Sequence, residues 1–171
     1  MSVPPDLTIR FAAAGDCPVI LDLIRELAEY EKLRHEVVAD LAGIRATLFG
    51  VRPAAEVLLA ELSGEIVGFA LFFQSYSTFL GKPGLYLEDL FVRPAARGHG
   101  VGGALMSACA RIAVQRHYGR FEWSVLDWNE PALKFYAGLS AKRISEWLVH
   151  RLTGAPLVAL AEKWPQPVGR A

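Results

Sequence analysis

The stretch ARGHGVGGALM, Ala96 to Met106, places glycines at 98, 100, 102 and 103 directly ahead of an apolar run with helical spacing. A phosphate group needs several N–H donors at short range. The free N–H groups of a helix start supply them, helped by the positive end of the helix dipole. Glycines let the backbone approach an anion without Cβ collisions and permit positive φ, and Arg97 adds a fixed charge at the loop mouth. Two phosphate patterns fit these letters. Gly98, Gly100 and Gly103 match G-x-G-x-x-G, which implies a dinucleotide cofactor and hydride transfer. From Arg97 the same letters match R-x-x-G-x-G, which implies a coenzyme A thioester and acyl transfer.

Two further stretches carry chemistry. LYLEDLFV, Leu85 to Val92, sets Glu88 beside Asp89 inside an apolar strand. Strict alternation would send one carboxylate into the core, at high cost. A β-bulge, or a strand splaying from its neighbour, would expose both carboxylates together with unpaired backbone N–H groups. In WNEPALKFY, Asn129 suits a helix cap and Pro131 the first turn. Asn129, Ala132 and Tyr136 then share one helix face, and the Tyr136 hydroxyl can point at a molecule bound beside it.

The elements that must position these groups alternate between strands and helices. LTIRFA, Leu7 to Ala12, reads as a strand. Asp16 caps a helix with Pro18 in its first turn and Ile20, Leu23, Leu27 and Tyr30 on one stripe. A shorter helix covers about Asp40 to Phe49. VLLAEL and IVGFALFF, joined by Ser63-Gly64-Glu65, read as a hairpin. After the Leu85–Val92 strand, which ends at Pro94, the glycine loop opens a long helix. Its buried face is Val101, Leu105, Ala108, Cys109 and Ile112. FEWSVL, Phe121 to Leu126, is a strand. A short helix follows from Asn129 to near Tyr136, and further strands run from about Lys142 to Leu152. The tail GAPLVALAEKW is helical and frays at Pro165 and Pro167.

That order bears on the loop. A Rossmann fingerprint normally follows the first strand of a parallel domain. Here four strands precede it and only one βα crossover surrounds it, so the second half of a dinucleotide has no site. Asp127 does stand where the ribose-binding acid of that motif is expected. The chain of 171 residues holds one sizeable core, and its net charge of +0 offers no general attraction to nucleic acid or anionic membrane. MSVPPDLTIRF lacks a basic region followed by an apolar stretch, so no signal peptide is expected. The longest apolar run, Ile66 to Phe73, is far short of the roughly 20 residues of a membrane span. Cys17, at a helix start where a thiol can react, and Cys109, a core residue, suit a reducing compartment. No cluster has metal-ligand spacing, so a cytoplasmic protein with no metal, nucleic-acid or membrane partner is expected.

The strand EDLFV followed by RGHGVG, and then WNEPxxxFY, resembles the GNAT acetyltransferase superfamily. More narrowly, the chain is similar to the diamine (spermidine/spermine) and thialysine acetyltransferases. The likeness extends from IRFAAAGDCPVILDLIRELAEYEKL through LYLEDLFVRPAARGHGVGGALM to Tyr136. It implies a single α/β (α+β) domain over 7–163, with frayed termini at 1–6 and 164–171. The sheet would be mixed, mostly antiparallel, splayed at a central parallel strand pair and flanked by helices.

The resemblance also implies acetyl-CoA as co-substrate, a small-molecule amine as acceptor, and a homodimer to which the C-terminal strands contribute. The amides of Leu90, Phe91 and Val92 would bind the acetyl-pantetheine end. The loop Gly98, His99, Gly100, Val101, Gly102 and Gly103, with Arg97, would hold the pyrophosphate, His99 through its backbone. Asn129, Glu130, Pro131 and Ala132 would touch the pantetheine arm. Tyr136 matches the tyrosine that protonates the departing thiolate. Tyr30, Glu31, Glu88, Asp89, Glu122, Trp123 and Ser124 match positions lining the amine side, and Glu146 a further acid there. The acidic set favours a cationic amine: a polyamine or a thialysine- or lysine-like amino acid. Ser140 departs from the pattern, standing where a glycine is expected. A catalytically silent acyl-CoA-binding module and a Rossmann-type oxidoreductase stay open as alternatives.

Overall fold

The computed structural model describes residues 4–163. The ends expected to fray, 164–171 and the first three residues of 1–6, lie outside the described residues. Among the described residues, those up to Ser124 and those from Val125 form two compact units.

The first unit is built on a five-stranded sheet in sequence order: β1 (Leu7–Phe11), β2 (Glu56–Leu62), β3 (Glu65–Ser77), β4 (Lys82–Val92) and β5 (Phe121–Trp123). The first three pairings are antiparallel, and only β4 with β5 is parallel. The helices of this unit are α1 (Cys17–Tyr30), α2 (Leu41–Phe49) and α3 (Val101–Gln115). A dinucleotide fold needs two parallel mononucleotide halves. One parallel pair around one crossover helix therefore excludes the Rossmann alternative.

The apolar stripe of α1 meets one face of the sheet. Ile20, Leu23 and Leu27 pack with Ile44 of α2 and with Val57, Leu59, Phe69 and Phe91 from β2, β3 and β4. Burying each such side chain stabilises the fold by about 1.5–3 kcal/mol. Tyr30, at the end of the stripe, is only half-buried. The helix α3 packs against β3 and β4. Its buried residues are Val101, Leu105, Met106, Cys109, Ile112 and Ala113, so Met106 and Ala113 join the expected face while Ala108 stays at its margin.

Local chemistry departs from expectation at Asp16. Its backbone is already helical, and its carboxylate turns away from α1 to accept from the Ala13 N–H at 2.7 Å and pair with Arg10 at 2.8 Å. Asp40 does cap α2, accepting from the Gly43 N–H at 2.7 Å. The strand β4 starts at Lys82, three residues before Leu85, because the long β3–β4 ladder continues to Ser77↔Lys82. The strand β5 stops at Trp123, short of Leu126, since its parallel ladder with β4 ends there.

The second unit contains α4 (Glu130–Ala137) and α5 (Gly154–Ala161). The strands expected from about Lys142 to Leu152 do not form. Ile144, Trp147, Leu148, Val149 and Leu152 are exposed, with no ladder among the described residues. A strand needs a neighbour for its backbone N–H and C=O groups, and this run has none among the described residues. No described helix is long and apolar enough to cross a membrane.

Candidate active site

The strand β4 carries the irregularity that its two acids required. Leu87 pairs with Phe72 and Asp89 with Leu71, so Glu88 has no partner on β3. That extra residue reverses the alternation. Directly paired residues share a face, so Tyr86 opposite Phe73 and Asp89 opposite Leu71 lie on the same side. Phe91, opposite Phe69, joins them on the side covered by α1. Leu85 and Leu87 take the other side. On its opposite edge β4 pairs with β5 only from Leu85 to Leu87. From Glu88 to Val92 that edge has no strand beside it among the described residues. The expected bulge occurs on the β3 edge, and on the other edge the ladder with β5 ends at Leu87↔Trp123.

The carboxylates gather at this point. Glu88 is exposed, while Asp89 is partly buried. Loss of water, reinforced by the negative charges of Glu88 and Glu31, pushes the Asp89 carboxyl up to about 6. Burial alone raises Glu31. Glu31 is the C-cap of α1, where its N–H donates to Leu27 O at 2.9 Å. Lys32 at φ 62 then turns the chain out of the helix. Glu122 behaves differently from these three. Its Oε2 lies 2.7 Å from Arg120 Nε, a close ion pair although the N–H is not aimed along the line of contact. Glu122 therefore brings its own countercharge, and the unneutralised acids are Glu31, Glu88 and Asp89. Ser124, just past β5, shares a 2.8 Å hydrogen bond with the Tyr86 hydroxyl, and the Trp123 ring lies 5.0 Å from that of Phe121.

Beyond Val92 the chain makes a short 3-10 turn at Pro94–Ala96 and enters the glycine loop. Gly98 and Gly100 both sit at φ 80, and Gly100 is the N-cap of α3. A Cβ added at Gly98 or Gly103 would meet nothing within 4 Å. Open space at a helix N-terminus, with Arg97, Gly98 and His99 exposed, fits a diphosphate approaching from solvent. The Arg97 side chain is not extended into that space. Its Nε donates to Val92 O at 2.9 Å, and its guanidinium carbon lies 4.6 Å from the Tyr30 ring centroid and 5.7 Å from that of Phe91.

Sequence reasoning missed three partners. Arg93 forks onto Glu26 at 3.0 and 2.7 Å and reaches Ile66 O at 2.8 Å, tying α1 to the end of β4. Tyr86 and Arg120 face the same side as Asp89 and Glu122. Spacing cannot show the Arg93–Glu26 and Tyr86–Ser124 contacts, because each joins residues far apart in the chain, whereas Arg120 stands only two positions before Glu122.

The remaining expected residues belong to the second unit. The Asn129 side chain accepts from the Ala132 N–H at 3.3 Å and so caps α4, with Glu130 and Pro131 in its first turn. Tyr136 is in the last turn, its ring 5.3 Å from that of Phe135. Glu146 is exposed in a turn. Ser140 holds φ 59, the left-handed conformation that the missing glycine would have adopted freely.

Residues 20–139 match the family model described as the GNAT acetyltransferase family. The chain is 40% identical over 166 residues to a thialysine N-epsilon-acetyltransferase of Bos taurus, covering 91% of this chain and 97% of the relative. It is 34% identical over 197 residues to an L-ornithine N5-acetyltransferase of Arabidopsis thaliana, covering 89% and 86% respectively. Among solved structures it is similar to an integron cassette protein from the mobile metagenome of V. cholerae, with a TM-score of 0.78 and 26% identity over 92% of this chain and 98% of that one. With the bulged β4, the single parallel pair and the glycine loop ahead of α3, these matches make the chain a member of the GNAT family of acetyltransferases.

Proposed function

We propose that this enzyme moves an acetyl group from acetyl-CoA to a primary amine of a small cationic substrate, a polyamine or a thialysine- or lysine-like diamino acid. The observation that carries the reading is the carboxylate group of Glu31, Glu88 and Asp89 beside the unpaired edge of β4. Relatives named for thialysine and ornithine acetylation act on the terminal amine of a diamino acid, which supports the same acceptor chemistry.

The roles follow from residue chemistry. Acetyl-CoA supplies an activated acetyl group. The amides of Leu90, Phe91 and Val92 bind its thioester end and stabilise charge developing on the carbonyl oxygen. Arg97 and Gly98 to Gly103 hold the pyrophosphate, and Asn129, Glu130, Pro131 and Ala132 hold the pantetheine arm. Tyr30, Glu122, Trp123, Ser124 and Glu146 complete the amine side.

An alkylammonium with a pKa near 10.4 needs roughly 4–5 kcal/mol to present its neutral, nucleophilic form at pH 7. Carboxylates recruit the cation but also hold its proton, so binding and activation oppose one another. The raised Asp89 is a better proton acceptor than an ordinary aspartate. A water chain ending on Asp89 or Glu88 would separate recruitment from deprotonation. Tyr136 then donates to the leaving thiolate as general acid. The same reading makes the enzyme a cytoplasmic homodimer with an acetyltransferase domain over 7–163.

The test is thiol release from acetyl-CoA with spermidine, spermine, putrescine, lysine, ornithine, thialysine and an aminoglycoside. Turnover with one amine supports the reading and names the preference. Absence of turnover with every amine, while acetyl-CoA raises the Tm, removes this acceptor class.

A further inference from the structure

Arg97 stands in the loop that would hold the pyrophosphate, yet its contacts within the chain lead elsewhere. The Nε–H is used on Val92 O, the carbonyl that ends β4. The guanidinium plane is lodged against Tyr30 and beside Phe91. Tyr30 is the last residue of α1 and Glu31 caps it. The Asp89 carboxylate lies close enough to Glu31 to feel its charge. One side chain thus touches the glycine loop, the end of β4 and the last turn of α1.

We infer that Arg97 is a positioning residue for the amine side: lodged against Tyr30, it holds the last turn of α1 over the bulged end of β4 and couples the glycine loop to the acidic group. The kinetic consequence rests on the acetyl-transfer reading. The structural link does not.

Arginine suits this role and lysine does not, although both carry a charge for a phosphate. The planar guanidinium lies over a ring while its Nε–H donates in the guanidinium's own plane, whereas an ammonium is a compact, strongly hydrated point charge. Arg97→Lys therefore separates the two roles. Under the inference, with acetyl-CoA saturating, it raises the amine KM about three- to ten-fold and leaves kcat within about two-fold, as expected for losing one exposed cation–π contact and one hydrogen bond. Tyr30→Leu has a similar effect, and the double variant is little worse than either alone. Tyr30→Phe keeps the ring, so Arg97→Lys retains its effect in that background.

Three results overturn the inference. In one, Arg97→Lys weakens acetyl-CoA binding by calorimetry while the amine KM stays unchanged. In another, the effects of Arg97→Lys and Tyr30→Leu are additive. Amide hydrogen exchange on the protein without ligands reads the link independently. Arg97→Lys should accelerate exchange about three- to ten-fold at Glu31, Lys32 and Leu33, whose N–H groups close the end of α1 on Leu27, Glu29 and Ala28. Exchange at Leu23 should not change. Unchanged exchange at all of these positions also overturns it. If the wild-type protein binds no acetyl-CoA, the acetyl-transfer reading fails, and the exchange measurement alone decides the coupling.

Discussion

Leu87 and Asp89, two residues apart on β4, project from opposite faces of the sheet because Glu88 between them has no partner on β3. In a regular strand they would share a face, and Asp89 would follow Leu85 and Leu87 into the apolar layer on that side. The bulge sends Asp89 instead to the side of α1, where Glu31 ends the helix. The chain thereby holds a carboxylate that is costly to bury at the place where an amine would use it.

Asp89→Asn tests that cost and its use together. A folded-state carboxyl at about 6, against an ordinary value of 3.8, binds its proton more tightly in the folded than in the unfolded chain. The charged form therefore destabilises the fold. The penalty is absent below about pH 4, where both states are protonated, and complete above about pH 6, where neither is. Asparagine removes it. The variant should gain on the order of 2 kcal/mol above pH 6, a Tm rise of roughly 4–8 °C that vanishes as the pH falls toward 4. The same variant should lose roughly ten-fold or more in kcat/KM, together with the break near pH 6 in the wild-type profile. A Tm gain without loss of activity would remove Asp89 from proton transfer.

Tyr136→Phe deletes one hydroxyl and keeps the ring that packs beside Phe135. A general acid acts only as the thiolate departs, so its removal lowers kcat and kcat/KM equally. The expected loss is about 100-fold in kcat at an amine KM within about two-fold, measured by steady-state thiol release. An unchanged kcat would exclude the tyrosine from the chemistry.

Much of this arrangement was legible in the sequence, and its failures share a cause. Adjacent Glu88 and Asp89 in an apolar strand required an irregularity, and both a bulge and an unpaired edge are present. A glycine at position 140 was implied by the family resemblance alone, and Ser140 there holds φ 59. Local spacing carried the irregularity of β4. It could not carry partners. The run from Lys142 to Leu152, expected as strands, has no neighbouring strand among the described residues. Arg97 looked like a free charge at a loop mouth, although its guanidinium stacks on Tyr30, 67 positions away by subtraction of residue numbers.

Gly98→Ala isolates the glycine loop. At φ 80 a Cβ costs roughly 1–2 kcal/mol in backbone strain, but it meets no atom of the chain within 4 Å. The stability loss should therefore be limited, a Tm fall of a few degrees. Acetyl-CoA affinity by calorimetry should fall much further, about ten-fold or more, since the methyl group occupies space that a pyrophosphate would need. Equal and small losses in both measurements would mean that no phosphate approaches Gly98.

The two thiols provide a test that bears on every assay by thiol release. Cys17 begins α1, the position from which the sequence suggested reactivity, but it is 1% exposed and packed with Ile20, Phe69 and Leu59. Cys109 is 0% exposed, and burial pushes its thiol up to about 12. A reagent needs both access and thiolate, and the folded protein withholds access from each. Native protein at pH 8 should therefore label with an aromatic disulfide at least about 1,000-fold more slowly than unfolded protein, at a rate set by opening of the structure. The blank in an activity assay should be flat. Fast labelling of one thiol in the native state, mapped to Cys17, would show that the first turn of α1 opens readily. The acidic group would not share that motion, because Arg93 and Arg97 hold the other end of the helix.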